Sequence, residues 1–147
     1  MAISEALECI PRRETANGDA RAGFYRPVEM SYYESISEDV QSILRASAET
    51  VREVSIDEAY LSLENISWSG ATTFGRSLKE EIETTVGVVA SIGIAPGMTT
   101  AKLASDADKP DGLVVVEPEN VRSFLGPIAV EELHGVGPVT ASELREM

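Results

Sequence analysis

The sequence is poor in cysteine, in lysine and in uninterrupted apolar runs, and each shortage excludes something. One cysteine, Cys9, in 147 residues rules out an internal disulfide and fits a reducing compartment. No stretch approaches the roughly 18 consecutive apolar residues of a membrane span. The opening MAISEALECIP has neither the basic region nor the apolar core of a secretion signal. These absences point to a soluble cytoplasmic chain with no membrane partner. Only three of the 12 basic residues are lysines (Lys79, Lys102 and Lys109), against 25 acids and a net charge of −13. The acids are spread along the whole chain. That pattern reads either as a well-solvated surface or as adaptation to molar salt, where self-repulsion is screened. Composition by itself disfavours nucleic acid as a partner.

What is present is enough for one ordinary domain, or a domain with a small appendage, burying roughly 70% of its unfolded surface. Residues 2–10 place Ala2, Ile3, Ala6, Leu7 and Ile10 at helical spacing, and Pro11 stops the run. Residues 12–23 are polar and read as a loop, and FYRPV at 24–28 as a short strand. A helix is expected from Met30 or Ser31 to about Ala48, with Ile36, Val40, Ile43 and Leu44 inward. Two strands follow, near 51–56 and 59–64, then a turn at Ser67–Gly70 and a helix marked by Phe74, Leu78 and Ile82. VGVVASIGIA is nearly continuous in apolar residues and is the best candidate for a buried strand. MTTAKLASDADK reads as helix, KPDG as turn and LVVVE as strand; a helix starts at Pro118 and runs to Leu125. PIAVEELHGVGPVTASELREM reads as helix, glycine turn, helix. The order is that of an α+β fold, a ferredoxin-like βαββαβ unit with its first strand missing.

Three constellations carry chemistry. Asp57 and Glu58 lie side by side between two strand-like runs. In a regular strand neighbours face opposite ways, but at a hairpin junction two adjacent acids can converge. Two unit charges about 4 Å apart at an effective dielectric near 20 repel by roughly 4 kcal/mol, so a semi-buried pair needs a proton or a cation. Hard oxygen donors suit magnesium; the alternative is an exposed acidic turn in an acidic protein. The second is Gly135-Val136-Gly137 between two short helices. Its backbone N–H groups could take a phosphate, or the segment could be an ordinary glycine turn. The third is Lys109 in DKPDG, either a point charge for a polyphosphate or a solvated surface lysine. His134 and Cys9 have no partners at catalytic spacing and read as structural.

SIDEAYLSL, SIGIAP, AKLASDADKPDGLVVV and FLGPIAVEELHGVGPVTASEL, in this order and spacing, resemble the Y-family DNA polymerases, most closely the DNA polymerase IV-like lesion-bypass branch. The resemblance runs nearly the whole length. It implies residues 1–23 as a remnant of the fingers domain, 24–117 as the palm, and 118–147 as a partial thumb with a helix-hairpin-helix. It implies two-metal nucleotidyl transfer with Mg2+. Asp57 would ligate metal, Glu58 would complete the site beside the primer hydroxyl, Lys109 would contact the incoming triphosphate, and Gly135, Val136 and Gly137 would hold DNA backbone. Primer–template DNA and deoxynucleoside triphosphates are the implied partners, with a separate N-terminal fragment or a sliding clamp as further ones. The family's first palm strand with its metal-binding Asp, the aromatic that excludes ribonucleotides, the triphosphate-holding fingers residues and the little finger have no counterpart in these residues. After GIAP the family shows Asn-Lys, where this chain has Gly97-Met98. The expectation is a polymerase fragment inactive alone; the alternative is a non-catalytic remnant that binds DNA or a protein partner.

Overall fold

The structure is a computed structural model that describes residues 5, 8–10, 12–15, 18–21, 27–133 and 135–146. Residues 1–30 and 31–147 form two compact units. In the first, Glu5, Glu8 and Cys9 are helical, while the apolar positions 2, 3, 6 and 7 of the expected helix lie outside the described residues. The polar stretch expected as a loop is instead a hairpin. Strand β1 (Arg12–Thr15) pairs antiparallel with β2 (Gly18–Arg21), from Arg12 opposite Arg21 to Thr15 opposite Gly18. A ladder of backbone hydrogen bonds needs no alternation of apolar side chains, so periodicity gave no sign of it. The strand expected at 24–28 lies outside the described residues except for Pro27 and Val28, which are not in a strand.

The second unit carries helix α1 (Met30–Ser47, its first residue belonging to the other unit), strands β3 (Thr50–Glu53) and β4 (Ala59–Ser62), helix α2 (Trp68–Val86), strand β5 (Ile92–Ile94), helix α3 (Met98–Ala107) and strand β6 (Leu113–Val115). A 3-10 turn at Pro118–Asn120, helix α4 (Val121–Leu125), a 3-10 turn at Val130–Glu132 and helix α5 (Pro138–Arg145) complete it. The apolar stripes predicted for α1 and α2 face each other. Ile43 and Leu44 pack with Leu78 and Ile82, and Val51, Leu61, Phe74 and Ile92 lean on that cluster. Each large aliphatic side chain so buried is worth about 1.5–3 kcal/mol. Ser67–Gly70 is not a free turn: Ser67 is the N-cap of α2, its Oγ accepting from the Gly70 amide at 3.1 Å.

β3 and β4 pair antiparallel, and β5 and β6 pair parallel with Ile92 opposite Leu113. Among the described residues β4 and β5 do not pair with each other. Both line a groove of about 1140 Å3, with Tyr60 and Leu61 from β4 and Gly93 and Ile94 from β5. This corrects the expectation of a long buried strand across VGVVASIGIA. Gly87 closes α2 in the left-handed region at φ 79°, Val89 is 54% exposed, and the strand is three half-buried residues. Continuous apolarity signals burial only where a strand has neighbours on both edges as well as cover on its faces. The expected helix over PIAVEEL is likewise only the 3-10 turn at Val130–Glu132.

One close approach fixes α3. A Cβ on Gly93 would lie 2.0 Å from the Ala101 carbonyl oxygen and 2.4 Å from the Ser105 nitrogen. Only glycine lets the helix sit directly on the strand backbone. That seat decides where the polar face of α3 points.

Candidate active site

Asp57 and Glu58 occupy the connection between β3 and β4, as expected, and the pleat is broken there. The Glu58 carbonyl accepts two amides, from Val54 at 2.9 Å and Ser55 at 3.2 Å, which folds the connection tightly. Asp57 is exposed, with Ser55 Oγ donating to its Oδ1 at 2.6 Å. Glu58 is half-buried, and its Oε2 lies 2.9 Å from Lys102 Nζ on α3. The two neighbours therefore have different surroundings: a solvated carboxylate oriented by a hydroxyl, and a carboxylate held by an ammonium. Lys102 supplies a compensating cation to Glu58.

The electrostatics follow from these contacts. The Lys102 ammonium is held above its usual range first by its hydrogen bond to Glu58, against the opposing effect of burial. The Tyr60 phenol is pushed up first by burial and then by its hydrogen bond to Glu58. Asp106, one turn beyond Lys102, is held below the ordinary carboxylate value first by the hydrogen bond from Lys109, with burial opposing. Lys109 Nζ lies 2.7 Å from Asp106 Oδ1, and Lys102 Nζ 3.4 Å from Asp106 Oδ2. A chain of alternating charge thus runs from Glu58 through Lys102 and Asp106 to Lys109. Asp57, Glu58, Lys102 and Lys109 all line the groove shared by β4 and β5.

The glycine turn is elsewhere. Gly135, Val136 and Gly137 are not part of the groove lining. Gly135 takes φ 86°, a conformation that favours glycine; the Val136 amide donates to the Leu133 carbonyl at 2.9 Å. Gly137 is the extended N-cap of α5, with Pro138 in the first turn. Ala141 is buried, and Arg145 pairs with Glu131. His134 lies outside the described residues, and Cys9 is exposed and free. Three residues at the acidic site escaped the sequence reading: Lys102, Asp106 and Tyr60. A signal for two of them was present, since lysines are so scarce and Lys102 stands four residues before Asp106 on a helix.

The fit to magnesium rests on the donor chemistry. Asp57 and Glu58 offer hard oxygens of the kind that bind Mg2+ together with substrate phosphates. Among the described residues no group of three or more His, Cys, Asp or Glu side chains could enclose an ion. The pair suits an ion shared with phosphates and not a closed protein cage.

Comparison with known proteins bears directly on this arrangement. Residues 1–106 match the family model described as the impB/mucB/samB family, and residues 118–147 match the IMS family HHH motif. The chain belongs to the impB/mucB/samB family. It is 60% identical over 146 residues to a DNA polymerase IV of Halobacterium salinarum, covering 99% of this chain and 36% of that protein. To a DNA polymerase IV of Methanoculleus marisnigri it is 36% identical, covering 99% of this chain and 38% of that one. The chain thus spans little more than a third of the length of these relatives. Among solved structures, the insertion ternary complex of Dbh DNA polymerase matches with a TM-score of 0.78 and 32% identity over 84% of this chain and 37% of the other. DinB from Sulfolobus solfataricus matches with a TM-score of 0.76 at the same identity, over 84% of this chain and 37% of that one. The resemblance to Y-family polymerases read from the four motifs is established, and with it the α+β fold class. Among the described residues no helix is long and apolar enough to cross a membrane.

Proposed function

We propose that this chain supplies the metal-binding carboxylates and part of the DNA grip of a template-directed, lesion-bypassing DNA polymerase. The observation that carries the reading is that Asp57, Glu58 and Lys109 line one groove in a chain of the impB/mucB/samB family. Residues 1–23 are assigned to the fingers, 24–117 to the palm and 118–147 to a partial thumb. Asp57 and Glu58 would hold Mg2+, which when bound neutralises charge on the attacking and leaving oxygens of phosphoryl transfer. Asp57 is exposed and oriented by Ser55, so it can meet an ion without rearrangement. Glu58, held at Oε2 by Lys102 at 2.9 Å, would supply the second carboxylate beside it. Lys109, on its turn, offers a point charge to the triphosphate of an incoming deoxynucleotide. The glycine turn at Gly135, Val136 and Gly137 would follow primer backbone without reading sequence.

Two carboxylates leave a two-ion site short of protein ligands, so the 147-residue chain alone is proposed to be inactive. The test is primer extension by the chain alone and after adding a segment that carries a further strand and carboxylate. No extension by the chain alone and measurable extension after addition are expected. In the restored enzyme Asp57→Asn should abolish extension, Glu58→Ala should slow it by orders of magnitude, and Lys109→Ala should mainly weaken nucleotide binding. Robust extension by the chain alone, or near-normal kinetics in Asp57→Asn, would be decisive against the proposal. Binding of primer–template DNA with no restorable extension would favour the non-catalytic alternative.

A further inference from the structure

All three lysines of this acidic chain end on a carboxylate: Lys79 on Asp111 at 2.5 Å, Lys102 on Glu58 at 2.9 Å and Lys109 on Asp106 at 2.7 Å. Lys102 and Lys109 belong to the acidic site. Lys79 does not, yet it is the most enclosed of the three, with its side chain 15% exposed. It projects from the middle of α2, and its Nζ donates to the Ala90 carbonyl at 2.8 Å, to the Gly112 carbonyl at 3.2 Å, to Asp111 Oδ1 at 2.5 Å and to the Asp111 carbonyl. Three N–H donors are shared among four oxygens, three of them backbone. No water-exposed surface lysine needs such a set.

The turn so gripped is demanding. Asp111 sits at φ 60°, which costs a residue with a Cβ on the order of 1 kcal/mol or more. A Cβ at Gly112 would lie 2.2 Å from the Asp108 carbonyl oxygen. The Gly112 carbonyl also accepts the Ile92 amide at 3.0 Å, and its amide donates to Ser91 Oγ at 3.3 Å. The ammonium therefore ties α2, the segment leading into β5 and the KPDG turn at one point. Lys109 is two residues before Asp111 and its side chain, 54% exposed, pairs among the described residues with Asp106 alone. Its placement depends on the backbone of the turn.

We infer that Lys79 is a positioning residue for Lys109: its ammonium holds the KPDG turn in the conformation that presents Lys109 to a polyphosphate. The inference rests on the reading of Lys109 as a phosphate ligand. A turn released from the ammonium no longer holds the Lys109 backbone in place, so the effect should be visible in binding as well as in stability.

The test uses the full chain and two-dimensional NMR, titrating a deoxynucleoside triphosphate into wild type, Lys79→Met, Lys79→Arg, Lys109→Ala and the Lys79→Met/Lys109→Ala pair. Without ligand, Lys79→Met should shift resonances at residues 108–113 and 90–92 and deprotect the Gly112 amide, with other segments unchanged. It should weaken triphosphate binding about tenfold, Lys79→Arg should recover part of the loss, and the pair should bind no more weakly than Lys109→Ala alone. Should Lys79→Met fail to fold, Asp111→Ala removes the side-chain acceptor and should weaken binding only while Lys109 is present. Unchanged affinity, or losses that multiply in the pair, would make Lys79 a stability clamp and overturn the inference while leaving Lys109 as a ligand. Normal binding by Lys109→Ala, or no triphosphate binding by wild type, would overturn the Lys109 reading and this inference with it.

Discussion

Among the described residues β5 pairs on one edge alone, with β6, and its other edge makes a prediction at the level of single amides. The Ile92 amide donates to the Gly112 carbonyl at 3.0 Å, and the Val116 amide to the Ile94 carbonyl at 2.8 Å. Backbone groups alternate along a strand, so the Gly93 N–H points away from β6, and Gly93 lines the groove. A ladder amide that opens locally at a cost of about 4 kcal/mol exchanges roughly a thousandfold more slowly than a free one, at about 1.4 kcal/mol per decade. An amide with no partner sits near zero on that scale. Native-state hydrogen exchange followed by NMR should therefore find Gly93 about two to three decades faster than Ile92. The Gly93 carbonyl leaves the strand on the same side as its N–H, and a carbonyl buried without a partner costs about 1–3 kcal/mol, out of a net stability on the order of 5–15 kcal/mol. An extended peptide laid along the edge should relieve both costs, protect Gly93 and raise the melting temperature. Equal, concentration-independent protection of Gly93 and Ile92 in a monomer would mean the edge is already covered, and the reasoning would fail.

Three further outcomes follow from other contacts. Gly93→Ala should destabilise by at least 1–3 kcal/mol because α3 lies within 2.4 Å of the added Cβ; an unchanged urea midpoint would show that the helix is not seated there. Stability should fall off in two shallow limbs, shallow because both ion pairs are partly exposed. Asp106 has a depressed folded pKa, so its contribution is complete above the ordinary 3.8 and is lost as pH falls through the folded value. Lys102 has a raised one, so its contribution is complete below the ordinary 10.5 and is lost as pH rises through the folded value. Melts of Asp106→Asn against pH should lack most of the acid limb. With a net charge of −13, the melting temperature should rise between dilute buffer and molar potassium chloride as the Debye length shortens to about 3 Å; circular dichroism showing no change would argue against salt adaptation.

The sequence by itself determined the elements whose periodicity is strong. Val40, Ile43 and Leu44 on α1, and Phe74, Leu78 and Ile82 on α2, repeat at three and four residues, which is enough to place one face of each helix inward. It also placed Asp57 and Glu58 at a hairpin junction, because in a regular half-buried strand neighbours face opposite ways and one of the two carboxylates would point into the core. Local chemistry with a polar pattern was illegible: β1 and β2 are held by backbone bonds that every residue can make, and the apparent turn at Ser67 is a helix cap. Only the tertiary structure decided what surrounds each acid. Glu58 meets Lys102 because Gly93 lets α3 rest on the backbone of β5, and Lys79 meets Asp111 across 32 positions of sequence. No local pattern encodes such meetings, since an ion pair between distant residues is set by how helices seat on strands. The breadth of β5 was decided the same way: its apolar run is a property of the sequence, but its burial is a property of its neighbours.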